Sequence, residues 1–426
     1  MADEAFFRQR VLHFLKSDSH EFLTEVDEEG WKRNMRWLDR SGLALPLATR
    51  LEALRPVTIV PASIRAELQS RLRDNQKRME RMLEYFGETN HALDTARVRH
   101  CCAKGFSLIP DCFGSIRERH QVDLDFLVAP DDLSAACRAL EKLGYCAQHS
   151  NQSGELRLVK PWKKHIGVGG YLYQLPEPPP VELHTSFWEP EKDGVELPPL
   201  IIASHLTEIH EIAGVNFSRL QPAYQFVYLL LHVFRHLLSS WVRLLSLYEV
   251  AAFIRTRSGE RHLWSDVKRL VEQDVRLSSA CALVLGLVDF AFTPEFPGGL
   301  RELFTGNLSS DSAFWIDRWL AAWLLTDPPG NKLNLLVQKQ FWTDDGVWRR
   351  YLRRRLFPIR RPHRLSDDVA GSGRRTLLYR AEDAWYQASR AWYHVTSGCT
   401  YLPALWRWNR SKQRRPDLTY RPINGL

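Results

Sequence analysis

Two aspartates one residue apart inside an apolar run, Val122-Asp123-Leu124-Asp125-Phe126-Leu127-Val128, constrain this chain more than any other feature of its sequence. Successive side chains of a β-strand point to opposite faces. The alternation predicts a strand over 121–128 with Asp123 and Asp125 on one face, roughly 7 Å apart at Cα. Val122, Leu124 and Phe126 then turn into a core. Two carboxylates that close repel unless something positive sits between them, and a hard divalent cation with oxygen ligands meets that need. The plainer alternative is a solvated strand face with two unrelated acids. The apolar Leu127-Val128 that follows argues against it.

The surroundings read as a small α/β unit. RVRHCCAKG predicts a strand ending in Gly105, Leu133–Gly144 a helix with glycine at its C-terminal cap, and 155–188 further strands with a turn at Gly167–Gly170. In Val181-Glu182-Leu183-His184, Glu182 and His184 share a strand face. A third acid beside a metal-binding pair can complete the metal shell or accept a proton from an attacking hydroxyl. Two turns could bring backbone N–H groups to a phosphate: Lys104-Gly105, and Gly114-Ser115 seven residues before Asp123. Arg117 and Arg119 lie between the second turn and the aspartates. Lys104-Gly105 is favoured because a better strand precedes it.

A chain of 426 residues suggests two or three packed units. We expect four regions: helical 1–95, the α/β core 96–190, helical 191–330, and a basic, Arg/Trp-rich 331–426. Composition is that of a globular protein, which excludes disordered, collagen-like and disulfide-scaffold chains. The net charge of +8 is unevenly placed, because residues 331–426 hold 20 basic and 7 acidic side chains and the rest is slightly acidic. Seven cysteines without C-x-x-C spacing indicate neither a disulfide framework nor a zinc knuckle. MADEAFFRQR has no signal-peptide core, and the greasiest stretches, Phe226–Leu238 and Ala280–Phe292, are interrupted by polar residues. A cytoplasmic protein with reduced thiols is expected.

His232 and His236 are four apart on a helical face, a spacing that can hold a metal. Histidines bonded within a core or lining a cleft are the stronger reading, as packing or solvation is for His184 and His165. The helix Trp348–Phe357 carries Trp348, Tyr351, Leu352 and Leu356 as one stripe among arginines. The favoured reading packs that stripe on the body and leaves the arginines in water. Contact of 344–362 with an anionic membrane comes second and a nucleic-acid backbone third.

The ordered series Lys104-Gly105, Arg119, Asp123-Leu124-Asp125-Phe126-Leu127-Val128, Gly144-Tyr145, Glu182-Leu183-His184 and LLLHVFRH resembles the nucleotidyltransferase superfamily related to DNA polymerase β. More narrowly it is similar to a poorly characterised bacterial group of nucleotidyltransferase family proteins, over roughly residues 30–330. The resemblance implies an α+β fold: a small polymerase-β-like mixed-sheet core flanked by N- and C-terminal helical regions. It implies magnesium-dependent transfer of a nucleoside monophosphate from an NTP to an acceptor, which stays open among small molecules, sugars, peptides and proteins. Asp123 and Asp125 would hold two metal ions, Glu182 would be the third carboxylate, and Lys104 with Gly105 would lie beside the phosphates. Arg119 and Ser115 are further candidates there, Ser115 because the broader superfamily uses a GS turn. Thr185 stands where tryptophan is usual, and Glu249 where the group usually has aspartate. The competing expectations are a catalytically silent scaffold of the same fold and a DxD glycosyltransferase. Glu182 remote from the aspartates would favour the first, and a sheet of six or more parallel strands the second.

Overall fold

The computed structural model describes residues 2–17, 23, 26–54, 60–147, 155–160, 172–174, 178–198, 206–239, 242–327, 331–357 and 377–412. The helices α1 (Ala2–Lys16), α2 (Glu28–Ser41), α3 (Ala44–Ala53) and α4 (Ala62–Thr95) come first. Asp27 starts α2 by accepting a bond from the Gly30 amide, 2.7 Å away. Along α4 the residues Leu68, Leu72, Met79, Met82, Leu83 and Phe86 recur at helical spacing and are buried.

The sheet follows. Its strands are β1 (His100–Cys102), β2 (Leu124–Val128), β3 (Cys146–Ala147), β4 (Glu155–Val159), β5 (Val181–His184), β6 (Thr207–Ile212) and β7 (Val215–Leu220). Helix α5 (Leu133–Lys142) leads from β2 to β3, and a single turn, α6 (Pro190–Asp193), follows β5. The strand order is β3-β4-β5-β2-β1-β7-β6. Among the described residues only β2–β5 and β1–β7 pair in parallel, so the sheet is mixed. The last two strands extend it beyond residue 190, into the stretch where the sequence suggests helices. They form a hairpin turned by Ala213 and Gly214, both at positive φ, the conformation of a tight two-residue turn.

Helices α7 (Pro222–Ser239), α8 (Leu244–Thr256), α9 (Arg261–Val271), α10 (Val275–Phe292), α11 (Gly298–Asn307) and α12 (Ser310–Leu324) come next. After them stand the short α13 (Leu335–Gln338), the arginine-rich α14 (Asp345–Leu356) and the long α15 (Leu377–Lys412). Helix α10 is long and apolar enough to cross a membrane, yet most of it is buried inside the protein as a core helix.

Two apolar cores result. One lies behind the sheet, where Phe86 of α4 stacks on Phe126 of β2 at 5.5 Å and meets Phe106 and Phe217. The other is continuous from Phe7 to Trp408 and joins the N-terminal helices to α7–α12. The two helical regions therefore share one interior, which neither could fill alone. Asp111, buried between Arg219 of β7 at 3.1 Å and Arg257 at 2.8 Å, ties the sheet to the end of α8.

Both strands of the catalytic candidate are shorter than the alternation suggests. The first ends at Cys102 rather than Gly105. The second begins at Leu124, because the Gln121 side chain donates to the Asp123 carbonyl at 2.6 Å and takes an acceptor that a longer ladder would use. The Gly167–Gly170 turn and His165 lie outside the described residues.

Candidate active site

Alternation along β2 puts Phe126 against α4 and Asp125 on the opposite face, toward α7. The parallel register sets Glu182 directly opposite Asp125, and His184 follows two residues on. Oxygen or nitrogen atoms of Asp125, Glu182 and His184 all lie within 4.8 Å of one another. His184 Nε2 is 3.4 Å from Asp125 Oδ1 and 3.9 Å from Glu182 Oε2. Asp123, one pleat earlier, is near enough that its charge and those of Asp125 and Glu182 act on one another.

Cations balance this cluster. Lys104 Nζ reaches Asp125 Oδ1 at 3.0 Å. Burial works against the lysine's charge, but Asp125, Tyr228, Asp123 and Glu182 outweigh it and hold the ammonium strongly protonated. Gly105 follows at φ +70°, and a Cβ there would fall 2.5 Å from the Gln121 amide. Glycine is thus required both by its conformation and by the side chain that fixes the Asp123 backbone. Arg119 also faces the aspartates, held by a 2.9 Å bond to Glu249 of α8 that is almost wholly buried. Burial lowers the arginine's pKa, but Glu249 more than offsets this and raises it. The departure from aspartate at 249 keeps the acid and gives it a partner.

The three carboxyls titrate differently. Burial works against the Asp125 charge, but Lys104 and His184 hold its pKa below the ordinary range. Burial and the neighbouring Asp125 push Asp123 up. Burial, Asp123 and Asp125 together push Glu182 up to about 8. A pair of acids shifted apart in this way is an arrangement suited to proton transfer. The folded protein therefore binds a Glu182 proton that the unfolded chain loses above its usual 4.5. In chelator, stability is expected to fall as pH rises from about 5 to 8, by at most about 1.4 kcal/mol per pH unit. Glu182→Gln should flatten that slope in thermal unfolding followed across pH. An unchanged slope would place the titration elsewhere.

Helix α7 closes the front. Gln225 Nε2 donates to the Ala103 carbonyl at 2.8 Å, and Tyr228, His232 and His236 follow as one stripe at four-residue spacing. The buried Tyr228 hydroxyl makes no hydrogen bond among the described residues and lies in the field of Lys104 and Asp125. Burial carries its pKa up to about 12. The rings of His232 and His236 hydrogen-bond each other, Nε2 to Nε2, at 3.1 Å. One must donate and the other accept, so both cannot be charged. Burial and Lys104 lower both pKa values, His236 to about 3.

The mixed sheet thus opposes Asp125 and Glu182 across two paired strands. A family model described as uncharacterised nucleotidyltransferase matches residues 27–291, more than half of the chain. The chain belongs to that nucleotidyltransferase family. No curated protein and no solved structure matches it.

Of the residues proposed from the sequence of this family member, Lys104, Gly105, Arg119, Asp123, Asp125 and Glu182 come together. Gly114 and Ser115 do not join them by hydrogen bonding. The Gly114 amide and the Ser115 hydroxyl both donate to the carboxylate of Glu118, at 3.1 and 3.3 Å. Two residues of the site, Gln121 and Tyr228, are not evident from residue type and spacing. Gln121 carries no motif signal, and Tyr228 is visible only as the residue one turn before His232.

The donor set suits a divalent metal. Asp123, Asp125 and Glu182 offer oxygen, the chemistry magnesium takes, with phosphate oxygens free to complete the shell. His184 adds an imidazole that can instead hydrogen-bond Asp125 and orient it.

Proposed function

We propose that this protein transfers a nucleoside monophosphate from an NTP to an acceptor hydroxyl or similar nucleophile, with magnesium. The observation that carries this is the register of β2 against β5, which opposes Asp125 and Glu182 on one sheet face. Asp123 and Asp125 would hold the metal, with Glu182 as the third carboxylate. When bound, magnesium supplies positive charge to the triphosphate oxygens and lowers the acceptor's pKa.

The chain's own residues account for the rest. Lys104, Arg119 and the unbonded Tyr228 hydroxyl present positive charge and a donor to phosphate oxygens on the same face. His184 orients Asp125. Glu182, its pKa raised to about 8 by burial and the two aspartates, takes the proton from the acceptor as the acceptor oxygen forms the bond to the α-phosphorus. The bond to the bridging oxygen breaks and pyrophosphate departs. Burial of the carboxylates by α7 and the sheet keeps these charges in a low dielectric, where they act strongly.

The same geometry bears on the competing functions. Glu182 opposite Asp125 supports a complete three-acid site over a silent scaffold, and the parallel sheet expected of a DxD glycosyltransferase is not what the described strands form. The test is incubation with each α-labelled NTP, magnesium and cell extract. Labelled product that disappears with Asp123→Ala/Asp125→Ala is expected. Labelling that survives the double substitution would sink the mechanism, and none with any NTP would leave the scaffold.

A further inference from the structure

Helix α15 has one face in the protein and one in water, and the outer face is unusual. Inward, Ser397, Tyr401, Ala404 and Trp408 are buried, and Trp408 meets Phe314 and Trp319 of α12 at 5.9 and 5.5 Å. Outward, Trp385, Trp392, Val395, Leu402 and Trp406 are each 59–76% exposed. No exposed residue from 384 to 406 is charged. A helix face meant for water carries Lys and Glu. A contiguous apolar strip of about six turns marks a surface that something covers.

The charge around the strip says what. Lys332 Nζ donates to the carbonyls of Leu356 at 3.3 Å and His394 at 3.1 Å, so the end of α14 abuts the middle of α15. Exposed Phe357 ends α14 there. The α14 stripe of Trp348, Tyr351, Leu352 and Leu356 packs on the body, leaving Arg349, Arg350, Arg353 and Arg354 exposed. None of these four is in an ion pair among the described residues. At the C-terminal end of the strip, Arg407 and Arg410 are exposed, the latter over the Trp406 ring at 5.4 Å.

We propose that this face docks on an anionic lipid bilayer, with the tryptophans of α15 in the headgroup region and the arginines of α14 and the α15 end on lipid phosphates. Tryptophan prefers that boundary, and unpaired arginines gain from its negative potential. A second copy would bring another quarter of net charge +13 against the first. Bases of a nucleic acid would stack on the tryptophans but leave the aliphatic Val395 and Leu402 of the strip uncovered.

The test is sedimentation of the full chain with phosphatidylcholine vesicles, with and without phosphatidylglycerol. Binding is expected to the anionic vesicles, at least about tenfold tighter than to phosphatidylcholine alone and weakened by salt. Trp385→Ser/Trp392→Ser/Trp406→Ser and, separately, Arg349→Gln/Arg353→Gln/Arg354→Gln should each cut it about tenfold or more, with unchanged thermal unfolding. No vesicle binding, equal binding to both vesicles, or full binding by the tryptophan variant would overturn the proposal. So would a dimer in sedimentation velocity that the tryptophan variant dissociates, or salt-sensitive RNA retention without vesicle binding.

Discussion

Asparagine in place of Asp125 is expected to lower nucleotidyl transfer by about three orders of magnitude or more and to leave the chain folded. Asp125 is the carboxylate with the most partners: Lys104 at 3.0 Å, His184 at 3.4 Å, and Glu182 across the register. Losing a carboxylate proposed to bind magnesium should remove several kcal/mol of transition-state stabilisation, and each 1.4 kcal/mol is about tenfold in rate. Folding should survive because asparagine is nearly isosteric and Asp123 and Glu182 stay as counter-charges to Lys104. The lost charge has its own signature. With one negative neighbour gone, Glu182 should titrate below the value of about 8 that burial, Asp123 and Asp125 impose on it. Initial rates at saturating NTP and magnesium, with circular dichroism of the variant, check both halves. A rate within tenfold of the parent would remove Asp125 from the chemistry.

The second large effect is expected away from the metal-binding candidates. Glu249→Ala should destabilise the protein by about 3–5 kcal/mol, because it leaves the Arg119 guanidinium buried without its counter-charge. Urea unfolding measures it. The double variant Arg119→Met/Glu249→Leu should recover most of that loss, since an apolar pair of similar volume avoids the desolvation of both ions. It should not recover transfer, because Arg119 also faces Asp123 and Asp125. Recovered activity would make Arg119 a purely structural residue.

The two outcomes separate what local pattern can reveal from what packing adds. Asp123 and Asp125 are legible because alternation in a strand is a local rule, and the same rule exposes Glu182 and His184. The β6–β7 hairpin was equally open to that rule, in Thr207–Ile212 and Val215–Leu220, but its turn is Ala213-Gly214 rather than a stronger turn pair. Arg119 could be named from its place in an ordered series of motifs. Its partner Glu249 lies 130 residues away, and no local rule joins them. The stripe Tyr228, His232 and His236 has a helical period, but period alone does not say which wall of the molecule it faces. Gly114-Ser115 illustrates the converse, a plausible phosphate turn whose hydrogen bonds are taken by a glutamate four residues on.

By itself the sequence determined the chemistry on offer: two acids on one strand face, a third on another strand, a lysine before a glycine, and a separate basic quarter rich in tryptophan. Each follows from short-range periodicity and composition. Only the tertiary structure decided which of these meet. It paired β2 with β5 in parallel so that Asp125 and Glu182 coincide, brought Lys104 to 3.0 Å, and laid α7 over the carboxylates. It also divided the C-terminal aromatics between a core around Trp408 and a face left in water. The reason is the same in each case: strand order and helix docking are set by burial of apolar surface summed over the whole chain, and no window of sequence contains that sum.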